Sequence, residues 1–155
     1  MVVAAWAKFK RQDQLFRGIS AAHRKRRLSR VALVGYPTDM TAGEIQALAD
    51  RHGIGDLVEI HEWLDQGDVA ALYRRSHMSI LWSRFEGDNR SIVESMLCDT
   101  PVIVRHGHNY GVRHRHINQE TGLYAAEADV SQAIASILDG KHAFNPRAYV
   151  LREHS

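Results

Sequence analysis

Residues 83–104 read SRFEGDNRSIVESMLCDTPVIV. A polar turn, Ser83 to Asn89, gives way to a run in which Ile92, Val93 and Met96 recur at helical spacing. Pro101 then opens an apolar run through Val104, the pattern of a strand buried on both faces. Strand end, turn, helix and strand in that order make a βαβ unit, and such units build parallel sheets covered by helices.

The alternation extends in both directions. Upstream, HMSILW (His77 to Trp82) reads as a strand, Asp65 to Arg75 as a helix with Val69, Leu72 and Tyr73 inward, and Leu57 to Ile60 as a strand. Thr41 with Glu44 three residues on is a capping box, and Ile45, Leu48 and Ala49 give the helix behind it a buried face. Val31 to Val34 is another apolar strand, ended by Pro37; before it lie a helix from Gln12 to Lys25 and a first strand, Val2 to Trp6. Downstream, Gly107 to Asn118 is a polar loop, Thr121 to Ala125 a sixth, edge strand, and Val130 to Leu138 a closing helix. The expected fold is α/β, a doubly wound, Rossmann-like parallel sheet of about six strands with helices on both faces, occupying residues 1–140. Residues 141–155 are expected to be an irregular or helical tail. Ligands of such sheets bind beyond the carboxyl ends of the strands, which directs attention to the loops 7–11, 61–65, 83–89 and 105–115.

Bulk properties narrow the classes. At 155 residues, 45% hydrophobic and 25% charged, the chain suits one globular domain. Its apolar runs fall far short of the roughly 20 residues of a membrane span, and its amino terminus lacks the order of a secretory signal. Cys98 is the only cysteine, so neither a disulfide nor a cysteine-cluster zinc site is available; a cytoplasmic location is expected. The net charge of +2 is unevenly spread: residues 1–30 hold nine Lys or Arg against the single acid Asp13. The basic run His23 to Arg27 reads either as a solvated helix end, its cations facing the negative pole of the helix dipole, or as a patch for a lipid headgroup or a phosphate-bearing acceptor. The second reading allows peripheral attachment to the inner face of a membrane and a lipid-linked acceptor. Nucleic acid is not an expected partner, because no aromatic residues interleave the basic run for base stacking.

The chemistry concentrates around two carboxylates. Glu86 lies in the turn and Glu94 on the following helix, seven residues between them. Both can face a ligand lying across the helix amino terminus, where backbone N–H groups near Asp88 to Ser91 offer an anion site. Taken singly, Glu86 reads equally as a helix-dipole partner and Glu94 as an exposed helix residue.

Together, Ser83, Arg84, Glu86, Gly87, Glu94, Cys98, Thr100, Pro101 and Val102 resemble the carboxyl-terminal, donor-binding domain of the retaining GT-B glycosyltransferases, in their fourth sequence family (glycosyl transferases group 1). In that family a Ser-Arg-x-Glu-Gly turn precedes a second Glu and a Cys-Gly-Thr-Pro-Val-like strand start. The resemblance runs from Lys10 to the last helix, about 135 residues. It implies a nucleoside-diphosphate sugar as donor substrate, no cofactor, no metal, and transfer of a hexose with retention. It also implies that Glu86 and Lys10 are the catalytic pair, Glu86 against the sugar hydroxyls and Lys10 against the donor phosphates. Glu94 would accept from the ribose hydroxyls, and the start of the helix (Gly87, Asn89, Arg90 and Ser91) would hold the diphosphate. Asp88, in the same nucleotide-sugar-binding segment, would repel the diphosphate unless it points at sugar hydroxyls or caps the helix. Trp63 would pack against the nucleobase, core packing being the other role open to Trp63.

Two departures from the family pattern stand out. The arginine usual four or five residues before the lysine is replaced by Ala5 or Trp6, leaving Lys8, Arg11 or Arg90 to compensate, and Asp88, Asn89 and Arg90 replace a Phe-Gly-hydrophobic run. His106, His108, His114 and His116 match no zinc spacing, and no Asp-X-Asp occurs. The resemblance further implies an amino-terminal acceptor domain that this chain lacks, supplied by a matching domain or a partner chain. Trp6, Phe9, Phe85 and Tyr110 are expected to lie partly exposed at the mouth that would face it. A non-catalytic nucleotide-sugar-binding module of the same fold is the alternative.

Overall fold

The computed structural model describes residues 1–87, 89–107, 109–110 and 116–153. The chain runs β1 (Val2–Val3), α1 (Gln12–Arg26), β2 (Val31–Gly35), α2 (Ala42–Arg51), β3 (Val58–Glu62), α3 (Gln66–Arg74), β4 (Ser79–Leu81), β5 (Phe85–Glu86), α4 (Arg90–Leu97), β6 (Val102–Arg105), β7 (Asn109–Tyr110), β8 (Gly122–Ala125), α5 (Val130–Leu138) and α6 (Pro146–Glu153). Local signals set the helix starts. Thr41 Oγ1 accepts from Glu44 N at 3.2 Å while Glu44 Oε2 accepts from Thr41 N at 2.7 Å, so two otherwise unpaired donors of α2 are satisfied reciprocally. Asp65 caps α3 by accepting from Asp68 N at 2.8 Å.

The major strands pair in parallel as β1-β2-β3 and β4-β6-β8. The two blocks abut where Ile80 N donates to Met1 O at 2.9 Å, giving the spatial order β3-β2-β1-β4-β6-β8. That is the doubly wound α/β order, with β8 at the edge as expected. Right-handed crossovers put α1 and α2 on one face and α3 and α4 on the other, because the chain winds outward from the centre first one way and then the other. On the first face Leu15, Phe16 and Ile19 of α1, Ile45 and Leu48 of α2, and Val130 and Ile134 of α5 form one core cluster over the sheet. On the second face Ile92 and Met96 of α4 pack with Val150 of α6 against Leu81, Val102 and Val104, and Tyr73 of α3 joins Ala32 and Val34. Leu33 and Ile103, fully buried in central strands, each contribute about 1.5–3 kcal/mol by the usual value of burying such side chains.

The first strand and Trp6 differ from the sequence reading, and the tail forms a helix, one of the two forms expected of it. The first strand is only Val2–Val3, although Ala4 N and Trp6 N still donate to Val34 O and Tyr36 O and so continue the pairing irregularly. Trp6, expected at an exposed mouth, is fully buried. Gly35 makes room for it: a Cβ there would lie 2.8 Å from the indole nitrogen and 2.0 Å from Ala4 O. The chain from Tyr36 to Met40 then runs beside the Trp6 backbone, with Asp39 N and Met40 N donating to Trp6 O. In the tail, Asn145 N donates to Glu120 O and α6 follows, its Pro146 at the first helical position where a missing N–H costs nothing.

Helices α1 and α5 meet at Gly18, where an added Cβ would lie 2.1 Å from Val130 Cγ1. Gly18→Ala gains about 1 kcal/mol of helix propensity, but Val130 is β-branched and buried, and overpacking of this kind costs about 1–3 kcal/mol. The clash is expected to win. Urea unfolding should show Gly18→Ala less stable than the parent, and Gly18→Ala combined with Val130→Ala should show a less than additive loss.

Candidate functional site

The reversal of winding falls between β1 and β4, and the loops leaving their carboxyl ends are drawn together there. After β1, Lys8–Lys10 forms one turn of 3-10 helix and Arg11 takes a left-handed φ of 59° to begin α1. After β4, Arg84 N donates to Phe9 O at 2.8 Å. This bond sets the Phe9 and Phe85 rings in a stack, centroids 4.9 Å apart and 11° from parallel, and Lys10 Nζ lies 4.9 Å over the Phe9 ring.

Lys10 Nζ then donates to Glu86 Oε1 at 2.5 Å, with the two side chains 12% and 10% exposed. The buried hydroxyl of Ser83 also donates to Oε1, while Oε2 has no hydrogen bond among the described residues. The result is a cation beside a carboxylate that has one oxygen doubly engaged and the other able to accept. Ser83 belongs to the quoted turn, but its role as the anchor of Glu86 is visible only in three dimensions. β5 and β7 pair in parallel, Phe85 with Asn109 and Glu86 with Tyr110, so part of the expected polar loop is a short strand that extends the site. Asp88, His108 and His114, and the side chain of Tyr110, lie outside the described residues.

At the start of α4, Asn89 Oδ1 accepts from Ser91 N at 2.9 Å and from Ser91 Oγ at 2.5 Å. One helix-end N–H is therefore already satisfied by the cap. Gly87 and Arg90 are exposed, and Arg90 has no ion pair among the described residues. Glu94 is half-buried one turn further on, and its carboxylate likewise has no hydrogen bond or ion pair among them. Its charge is felt by Tyr73, whose hydroxyl donates to Ser91 O at 3.2 Å. Burial, then the charges of Glu94 and Cys98, push the Tyr73 phenol well above its ordinary value. Tyr73 therefore stays a protonated donor that holds the first turn of α4.

Of the possible substitutes for the missing arginine, Arg11 is committed to Glu127, Nη2 to Oε2 at 2.6 Å. Lys8 is exposed and free of ion pairs among the described residues. Trp63 stands apart from the Lys10–Glu86 pair, at the end of β3. It is 70% exposed, which removes core packing as its role, and stacks on Tyr36 with centroids 4.9 Å apart. Its φ of 52° is unusual for so large a residue, and it is fixed by Trp63 N donating to Gly35 O at 3.1 Å. Tyr36 escaped the sequence reading, although its place directly after β2 at a carboxyl strand end was the available signal. Among the described residues no group of three His, Cys, Asp or Glu side chains gathers as a metal site, and no helix is long and apolar enough to cross a membrane.

Solved structures of similar fold agree with this architecture. Over 96% of its length the chain superposes on 42% of a lipopolysaccharide outer core galactosyltransferase, WaaB in its apo form (TM-score 0.77, 18% identity). It covers 99% of itself and 85% of the carboxyl-terminal domain of a glycosyl transferase group 1 family protein, LpcC, from Francisella tularensis (TM-score 0.81, 16% identity). It also matches 44% of Anabaena HepE, solved in complex with UDP, over 97% of this chain (TM-score 0.73, 18% identity). The chain thus spans less than half of the galactosyltransferase and of HepE. Among curated proteins, a sequence search found none that matches. The family model for glycosyl transferases group 1 matches residues 1–139, and the chain belongs to that family.

Proposed function

We propose that the chain is the donor-binding half of a retaining hexosyltransferase that uses a nucleoside-diphosphate sugar. The observation that carries this reading is the Lys10–Glu86 pair at the winding reversal, a cation and an acceptor side by side where an α/β sheet binds ligands. A nucleotide sugar presents an anionic diphosphate joined to a ring of hydroxyls, and the pair answers both. In this reading Lys10 stabilises the charge that develops on the diphosphate as its bond to the sugar carbon breaks. Glu86, held by Ser83, accepts from sugar hydroxyls through its free oxygen. Glu94 accepts from the ribose, Arg90 and Lys8 add charge for the phosphates, and Gly87, Asn89 and Ser91 line the diphosphate path. Trp63, on its Tyr36 platform, offers an exposed aromatic face to the base. No metal or other cofactor is invoked.

Lys10→Ala is expected to weaken nucleoside diphosphate binding by about 1–3 kcal/mol, the loss of a charge-assisted hydrogen bond, in calorimetric titration across uridine, guanosine and adenosine diphosphates. Lys10 also neutralises Glu86, so Lys10→Ala with Glu86→Gln is the decisive variant. A loss that persists in the double variant puts Lys10 on the phosphates, and parent-like affinity there confines it to pairing Glu86.

Glu94→Ala should weaken a ribonucleoside diphosphate far more than its 2′,3′-dideoxy counterpart, since only the former supplies hydroxyls for the carboxylate. Equal losses would take Glu94 off the ribose.

Transfer also needs an acceptor held against the donor with water excluded, and one domain provides one wall of that cleft. Phe85, 55% exposed on its stack with Phe9, suits a surface covered by a second domain. The 155-residue chain alone should transfer no sugar to added acceptors and should regain transfer when joined to an amino-terminal domain of matching type. Turnover by the chain alone on the order of 1 per second, an ordinary enzyme rate, would overturn the half-enzyme reading.

A further inference from the structure

At the amino ends of the strands, the opposite end of the sheet from Lys10 and Glu86, lies a cavity of about 540 Å³. That volume is within the range of small-molecule sites, about 300–1,000 Å³. Its walls are apolar, formed by Ile19 of α1, Val31 of β2, Ile80 of β4, and Ile134 and Leu138 of α5. Its rim is cationic: Arg26, Arg27 and Arg30 from the α1–β2 connection face Arg75 and His77 from the α3–β4 connection, and no carboxylate lines it among the described residues.

The rim charge is partly spoken for. Arg26 pairs with Asp139, and Arg30 Nε pairs with Glu59 Oε1 at 2.9 Å. The carbonyl ends of α1, α3 and α5 also point to this end of the sheet, and each carries about half a negative charge. Arg27 and Arg75 remain, both exposed and without an ion-pair partner among the described residues. Two unpaired guanidinium groups outweigh three half-charges, so the mouth stays positive above an apolar interior.

We propose that this cavity binds an amphiphilic anion, an aliphatic chain whose phosphate ester head is held by Arg27 and Arg75. The chain fills the apolar interior and releases water, and each guanidinium can give a phosphate two parallel hydrogen bonds. The head can come from a membrane lipid or from a free alkyl phosphate, and the chemistry recognised is the same. This inference stands apart from the donor site, since the two lie at opposite ends of the strands.

The test is calorimetric titration of the 155-residue chain with octyl phosphate below its micellar concentration, beside inorganic phosphate and 1-octanol. Octyl phosphate should bind at least about tenfold more tightly than either fragment, and Arg27→Glu with Arg75→Glu should weaken it at least about tenfold, a modest estimate for two charged hydrogen-bonding groups. Both residues are exposed, and an unchanged circular dichroism spectrum confirms that the variant is folded. Saturating uridine diphosphate should not displace octyl phosphate. Equal binding of octanol, indifference to the charge reversal, or displacement by the nucleotide would each overturn the proposal. Sedimentation with phosphatidylcholine vesicles containing phosphatidic acid, absent with phosphatidylcholine alone and lost in the double variant, assigns the head to a membrane lipid. Octyl phosphate binding without sedimentation assigns it to a free ester. Sedimentation without octyl phosphate binding would overturn the cavity as the site.

Discussion

The reversal of winding between β1 and β4 is the constraint on which the rest of the molecule depends. Strands that wind outward in both directions leave their first connections on opposite faces, so no helix covers the gap between the two central carboxyl ends. The loops after β1 and β4 must meet there. Their meeting is fastened by Arg84 N to Phe9 O, by the Phe9–Phe85 stack and by the Lys10–Glu86 pair. The residues joined lie 75 or 76 positions apart in sequence, and the only requirement on each loop is to leave its strand at the right edge of the sheet.

That pair sets a balance. An ion pair whose side chains are about one-tenth exposed has lost much of its hydration, and its attraction must make up for that loss. A ligand competing for Lys10 has to replace Glu86 or share it. The Ser83 hydroxyl on Oε1 gives Glu86 a second partner besides Lys10, which would remain to it if the lysine turned to a phosphate. A sugar hydroxyl on Oε2 would then add to the set instead of displacing it. Arg11, the nearest alternative cation, is held by Glu127.

The architecture was legible because its signals are local or periodic. Val31 to Val34 and Pro101 to Val104 are continuous apolar runs, and parallel strands buried on both faces demand such runs. Thr41 and Glu44 announce α2 by themselves. What escaped was contact between residues distant in sequence. Trp6 reads as a surface aromatic until Gly35, some thirty positions on, is seen to leave space for its indole. Trp63 reads equally as core or platform because periodicity does not record the left-handed φ that turns the ring outward. The site residues divide in the same way. Glu86 and Lys10 were chosen on motif and resemblance, and the fold brings them together, whereas Ser83 as anchor and Tyr36 as stacking partner are facts of packing.

The start of α4 is where resemblance and geometry pull hardest against each other. A helix amino terminus attracts an anion through unpaired N–H groups and through about half a positive charge at the helix end. Asn89 spends one of those N–H groups on its own side chain. A neutral carboxamide cap satisfies the donor but adds no negative charge, so the helix field remains open to an anion even though the Ser91 hydrogen bond is taken. Aspartate in that place would have cancelled the field as well. Arg90, exposed beside the cap and unpaired among the described residues, strengthens the field. The departure from the family pattern therefore exchanges backbone hydrogen bonding for side-chain charge. A diphosphate at this end would be held less by a cradle of N–H groups than by Arg90 on the first turn of α4 and Lys10 from the connection after β1.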